Sequence, residues 1–203
     1  PAKGIATPLR GKKGSTFEGG MREPCVVRWP GQIMAGEICG EITSTMDLLP
    51  TFARLAGASA PTDRTIDGND IWPLLSGQLG ARSAYKAFYY YNRNALQAVR
   101  SGPWKLHLLG DKGEPALYHL ENDISESTNL IDQHPKVVKR LTKLMEAARE
   151  DLGDGVERLG SGVRPVGYFK NPKQLIPSAN GEPMGQGNLK MNPAMWAERR
   201  QVN

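Results

Sequence analysis

A chain of 203 residues, 39% of them hydrophobic, is long enough for one medium domain or a small domain and part of another. Its 23 glycines and 15 prolines point to many connections between short elements, and no apolar run approaches the roughly 20 residues of a membrane span. The net charge of +5 is spread along the chain, with a mild concentration at Lys190, Arg199 and Arg200, which argues against nucleic acid as a partner.

The chain opens on Pro1 with no initiator Met and no charged-then-apolar leader, and it reads as a piece of a longer protein. Residues 1–22 are loop-like. The stretch "KKGSTFEGGMREP", Lys12–Pro24, is too polar for a core and too glycine-rich for a helix. "PCVVRWP", Pro24–Pro30, holds β-branched residues between prolines and predicts a short buried strand, with Cys25 as a buried, inert thiol. Cys25 and Cys39 alone define neither a disulfide framework nor a zinc site. "TSTMDLLPTFARLAGA" predicts a helix with Asp47 as N-cap and Pro50 in the first turn. Leu48, Phe52 and Leu55 fall on one face of it, and Gly57 suits its C′ position. "TIDGNDIWPLLSG" reads as a turn into a short helical segment closed by Gly77.

From about Lys86 the texture changes. "AFYYYN", "LQAVRSG", "WKLHLL" and "ALYHL" are short β-type runs separated by turn residues, as in an antiparallel meander. Trp104, Leu106 and Leu108 alternate with Lys105 and His107, which predicts one buried face and one wet face. A helix follows with Pro135 at N1. Its apolar stripe, Val137, Val138, Leu141, Leu144, Met145, Ala148 and Leu152, can cover the dry face of the meander, and Gly153 stops it. Beyond Gly160 the many Gly, Pro and Asn residues predict an extended arm. The organisation expected is therefore the end of an α/β domain over 1–83, an antiparallel-sheet plus helix subdomain over 84–160, and a C-terminal arm over 161–203.

His107, His119 and His134 have no metal-ligand spacing and read as surface or strand histidines. There is no Gly-x-Ser-x-Gly elbow and no phosphate-cradling Gly-x-x-x-x-Gly-Lys-Ser/Thr. "DGND", Asp67–Asp70, starts like a calcium loop, but no further oxygen ligands follow at regular spacing, so a turn with a helix cap is expected. "FYYY", Phe88–Tyr91, could stack on sugars or bases; in a strand, half of such a run faces the core, and structural tyrosines are expected.

The opening loop differs from all of these. "LRGKKGSTFEGGMREPCVVRWPGQI" contains the pattern Gly-x-Lys-Gly-x-Thr-aromatic-Glu-Gly-Gly-x-Arg-x-Pro. Together with "STMDLLPTFARLAG", "IDGNDIWPLLSG", "AVRSGPWKLHLL", "ALYHLENDISESTNL" and the Pro135 helix, it resembles the C-terminal portion of the type I, formylglycine-dependent sulfatases of the alkaline phosphatase-like superfamily. The resemblance covers residues 8–152. It implies an α/β sulfatase fold completed by a smaller α+β subdomain, and hydrolysis of sulfate esters.

It further implies that Lys13, five residues before Glu18, contacts the sulfate. A sulfate ester cleaves with negative charge on its non-bridging and departing oxygens, and a compact ammonium in a water-shielded site stabilises that charge. Gly11 and Gly14 let the backbone turn closely beside it, whereas Lys12 is expected to face solvent. Glu18 and Arg22 are expected as buried polar anchors, and Gly19 and Gly20 as a sharp turn, all positioning Lys13.

The nucleophile and ion are expected elsewhere. The family's Cys/Ser-x-Pro-x-Arg motif, whose first residue becomes formylglycine, is not matched by "CVVR" at Cys25, where Val27 replaces Pro. The Ca2+ ligands are likewise expected upstream of this chain, so this fragment alone is expected to be inactive. Implied partners are a sulfated small molecule or glycan and the upstream part of the same catalytic domain. By analogy the compartment is periplasmic, extracellular or lysosomal. Two rivals stay open: a phosphodiesterase or phosphonate hydrolase of the same superfamily, and a non-catalytic carbohydrate-binding module using the meander and the tyrosine run.

Overall fold

Period-2 alternation from Phe88 onward produces a four-stranded antiparallel meander. Its strands β1 (Phe88–Asn92), β2 (Ala95–Ser101), β3 (Trp104–His107) and β4 (Ala116–His119) pair in the order β1-β2-β3-β4. The computed structural model describes residues 7–110, 113–155, 160–164, 176–177 and 183–184, the last two pairs as backbone only. The chain divides into two compact units, Pro1–Val163 and Arg164–Asn203. In the second, β5 (Ile176–Pro177) and β6 (Pro183–Met184) form a two-residue antiparallel pair. The remainder of the predicted arm lies outside the described residues.

One face of the meander is apolar and is covered by helix α4 (Pro135–Leu152). Leu141, Met145 and Ala148, spaced four and three residues apart, fall on one helical stripe and pack against Leu96, Val99, Leu106 and Leu117. Each buried leucine there contributes roughly 2 kcal/mol through removal of apolar surface from water. Pro135 opens the helix, and Gly153, with φ 81, ends it. The end is tied to the sheet: Tyr91 donates its hydroxyl to Gly153 O at 2.9 Å, and Leu96 N donates to Asp154 Oδ1 at 2.9 Å.

The other face is not wet. Lys105 and His107, expected to meet solvent, are as buried as the core leucines. The opening loop lies over them, and its Thr16, Phe17 and Glu18 satisfy or stack on both side chains. Polarity along the strand marked the face correctly as non-hydrocarbon. What it could not reveal was a polar cover.

Between the opening loop and the meander lie two helical pieces. A 3-10 turn, Thr45–Asp47, runs into α2 (Leu48–Leu55), with Pro50 in the first turn and Gly57 at φ 73 after the end. Asp47 does not cap α2 as predicted; its carboxylate closes the preceding turn instead. Oδ2 accepts from Ser44 N at 2.7 Å, while Oδ1 accepts from Asn69 N at 2.7 Å and from Tyr85 O–H at 2.6 Å. This fully buried carboxylate joins the helix, the "DGND" segment and the lead into the meander. Burial, reinforced by Asp47, pushes the Tyr85 hydroxyl well above the usual tyrosine range. Asp70 Oδ1 accepts from Trp72 N at 2.9 Å at the start of α3 (Trp72–Leu75); Asp70 lies one residue before the N-cap Ile71, and "DGND" itself is irregular rather than the expected turn.

The predicted strand at Pro24–Pro30 is absent. The segment is irregular, Val26 is 93% exposed, and Cys25 is an exposed free thiol. β-branched residues favour a strand only against a neighbouring strand, and among the described residues none pairs with this segment. The apolar residues of α2 are similarly open: Leu48 and Phe52 are exposed, and Thr51 is its buried position.

Candidate functional site

Residues Arg10–Arg22 form a loop pinched at its base, where Gly19 N donates to Arg10 O at 2.7 Å. At its tip Ser15 N donates to Lys12 O at 2.9 Å, closing a β-turn with Lys13 and Gly14 at the two central positions. The φ of +91 at Gly14 makes this the type II turn, which needs glycine at that place and sets Lys13 at the corner. Lys12 and Lys13 are both exposed. The turn distinguishes them through the backbone: the Lys12 carbonyl closes it and the Lys12 N–H donates to Ser15 Oγ at 3.3 Å, while Lys13 occupies the corner. Asn92, at the end of β1, donates Nδ2 to Gly14 O at 3.4 Å and so touches the same turn.

Gly19 and Gly20 do not make the sharp turn predicted for them. They belong to a single helical turn, α1 (Glu18–Met21), despite their low helix propensity. Their value is close approach. A Cβ on Gly19 would come 2.7 Å from Arg10 O, and one on Gly20 would come 2.6 Å from Lys12 O. Any side chain here would lift the Lys13 turn.

Below the loop lies a buried ionic cluster. Glu18 accepts from Arg22 Nε at 2.6 Å, from Lys105 Nζ at 2.8 Å and from the Tyr90 hydroxyl at 3.0 Å, with Arg100 3.8 Å away. Burial alone would raise the Glu18 pKa, but the opposing charges of Lys105 and Arg22 hold it below the usual carboxylate value. Lys105 Nζ donates at 2.8 Å to Thr16 O and to Glu18 Oε1, and it forms an ion pair at 2.8 Å with Glu126 Oε1, a buried oxygen that accepts no hydrogen bond from the described residues. Its ammonium also sits 4.2 Å from the centre of the Tyr90 ring. Glu126 accepts from Glu18 N at 2.7 Å through Oε2, and its own carbonyl accepts from Arg10 at 2.8 Å. Burial outweighs Lys105 at Glu126 and raises its pKa.

His107 grips the loop in a different way. Its Nδ1 accepts from Leu109 N at 3.0 Å, so the neutral ring carries its proton on Nε2 and donates to Thr16 Oγ1 at 2.9 Å. Thr16 in turn donates to Gln97 Oε1 at 2.8 Å. Phe17 stacks on the imidazole with 4.4 Å between ring centres, and Arg10 covers Phe17. Burial first, then the charges of Lys105 and Arg10, depress the His107 pKa to about 4. The unfolded chain therefore binds a proton that the folded one refuses between pH 6.5 and 4. Stability is expected to be full above pH 6.5 and to decline by up to about 3 kcal/mol as the pH falls to 4. Urea midpoints of the full-length protein across that range, set against His107→Gln, check this; equal slopes would remove His107 as the cause.

Of the predicted site residues, Lys13, Glu18, Gly19, Gly20 and Arg22 all sit on this one loop; Glu18 is buried as expected, but Arg22, expected to be buried with it, is exposed and reaches Glu18 from the surface side. Lys105, Glu126, Thr16 and His107 were missed. Lys105 and His107 carried a signal only in being polar within a strand; Glu126 carried none. The tyrosine run divides as alternation requires: Tyr90 is buried on Glu18, while Tyr89 and Tyr91 pack toward α4. Among the described residues no group of three or more His, Cys, Asp or Glu could hold a metal ion, and no helix is long and apolar enough to cross a membrane.

Comparison with known proteins adds the following. The family described as N-sulphoglucosamine sulphohydrolase, C-terminal, matches residues 12–151. The chain is 47% identical over 112 residues to the steryl-sulfatase of Mus musculus, covering 53% of this chain and 18% of that protein. It is 36% identical over 196 residues to arylsulfatase A of Bos taurus, covering 80% of this chain and 38% of that protein. Among solved structures it is similar to the PsFucS1 sulfatase from Pseudoalteromonas sp. The TM-score is 0.60 and the identity 26%, over 69% of this chain and 32% of that one. The chain thus spans well under half the length of these relatives.

Proposed function

Because this chain belongs to the sulfatases, through the family of the N-sulphoglucosamine sulphohydrolase C-terminal region, we propose that it is the C-terminal part of an enzyme hydrolysing sulfate esters, with Lys13 as its contribution to the sulfate site. The observation that carries this reading is the Lys13 turn: an exposed ammonium at the corner of a type II turn, on a loop whose base is locked into a buried ionic cluster. A flexible surface lysine needs no such foundation. A cation presented at a fixed height suits the negative charge that grows on sulfate oxygens as the ester bond breaks.

On this reading the formylglycine nucleophile and the Ca2+ that polarises the sulfate are held by residues outside this chain. Lys13 binds a non-bridging or departing oxygen, and Glu18, Arg22 and the glycines hold it there. The substrate is a sulfated small molecule or glycan, met in an exported or lysosomal compartment. The relatives named above, all called sulfatases, support sulfate over phosphate esters.

The test is turnover by the full-length protein of a paired aryl sulfate and aryl phosphate. Preference for the sulfate is expected. Preference for the phosphate or a phosphodiester would assign the protein to the phosphodiesterases of the same superfamily.

A further inference from the structure

We infer that Lys105 and Glu126, both outside the Lys13 loop, are positioning residues for the proposed sulfate contact, so that the meander subdomain helps to build the active site. The inference rests on Lys13 being that contact.

Three observations carry it. The first is what the pair grips. Lys105 Nζ donates to Thr16 O, and Glu126 Oε2 accepts from Glu18 N, while the Glu126 carbonyl accepts from Arg10. These are loop atoms three residues before Lys13 and three and five residues after it. Both legs of the turn are thereby fixed to the same two residues.

The second is the conformation of Glu126. It is fully buried and has φ 52, one of two positive-φ residues other than glycine among those described. A long side chain in the left-handed region is a strained choice, and such strain persists where the surroundings fix the residue in place. Glycine would relieve the backbone but would remove the carboxylate that holds Glu18 N.

The third is the chemistry of the cluster. Lys105 is fully buried with its ammonium shared between two carboxylates. Apolar residues of similar volume commonly stabilise an interior as well as a buried ion pair does, so stability alone gives little reason for this arrangement. Ionic groups set direction and distance. The loop above them needs both.

A double-mutant cycle in the full-length protein tests this, with an aryl sulfate as substrate. Glu126→Gln keeps an oxygen for Glu18 N and removes the charge facing Lys105. With Lys13 present it is expected to lower kcat about 10- to 100-fold, the scale of misplacing a catalytic group by about 1 Å. In a Lys13→Ala background the same substitution is expected to change kcat by less than about twofold, since a contact already lost cannot be misplaced. A thermal unfolding midpoint above the assay temperature is required of each variant. If Glu126→Gln does not fold, Lys105→Arg, which keeps the charge but not the compact ammonium, takes its place in the cycle. Equal losses in both backgrounds, or no loss with Lys13 present, would overturn the inference while leaving Lys13 in its role. Full turnover by Lys13→Ala alone would overturn the Lys13 reading and this inference with it.

Discussion

Replacing Lys13 by alanine in the full-length protein is expected to cut turnover of an aryl sulfate by at least about 100-fold, on the scale of 3 kcal/mol for one lost charge-stabilising donor. The turn itself should survive. Its closing bond runs between backbone atoms of Lys12 and Ser15, and Gly14 supplies the positive φ, so the substitution removes the ammonium and little else. The unfolding free energy is therefore expected to stay within about 0.5 kcal/mol of the parent, as for other surface changes. Lys12→Ala is the internal control, because Lys12 serves the turn through its backbone. A large fall for Lys12→Ala with none for Lys13→Ala would invert the assignment of the two lysines.

Lys105→Met is expected to have the largest effect on stability, about 3 to 5 kcal/mol, because it leaves two buried carboxylates facing each other without their shared cation. Glu18 keeps Arg22 at 2.6 Å, but Glu126 is left with no cationic side chain in its ion pairs. Its pKa is already raised by burial and should rise further, so the variant is expected to take up a proton at Glu126. A urea titration of the full-length protein against the parent measures the loss. A change below about 1 kcal/mol would mean that the carboxylates reach water or another cation, and that Lys105 is not the centre of the cluster.

Elements whose cause is local were legible in the sequence. The meander strands and α4 follow from period-2 and period-3.6 spacing with turn residues between, and each forms where those patterns occur. Gly57, Gly77 and Gly153 end their helices because the chain must adopt positive φ there. Elements whose cause lies far along the chain were not legible. Lys105 and His107 have the spacing of a wet face, and only Thr16 to Glu18, almost ninety residues earlier, make it a buried one. Val26 and Val27 have strand composition, but no neighbouring strand is present among the described residues to realise it. The Lys13 loop was legible as a motif. Its foundation was not, because Glu126 lies in a polar stretch with no periodicity and acquires its role through a side chain meeting the Glu18 backbone 108 residues away.

That separation also bears on how the protein is made. The bonds that hold the loop to the rest of the chain join residues 72 to 116 positions apart, so closing them requires a large loss of chain entropy before any contact compensates. At synthesis rates of about 5 to 20 residues per second, Glu18 leaves the ribosome roughly 5 to 20 s before Glu126. Tyr90 and Lys105 emerge 72 and 87 residues after Glu18, so for most of that interval Glu18 has neither to receive it, and until Glu126 follows the Lys13 turn lacks part of its floor. The Lys13 loop is thus expected to be among the last parts of the nascent chain to acquire its native geometry.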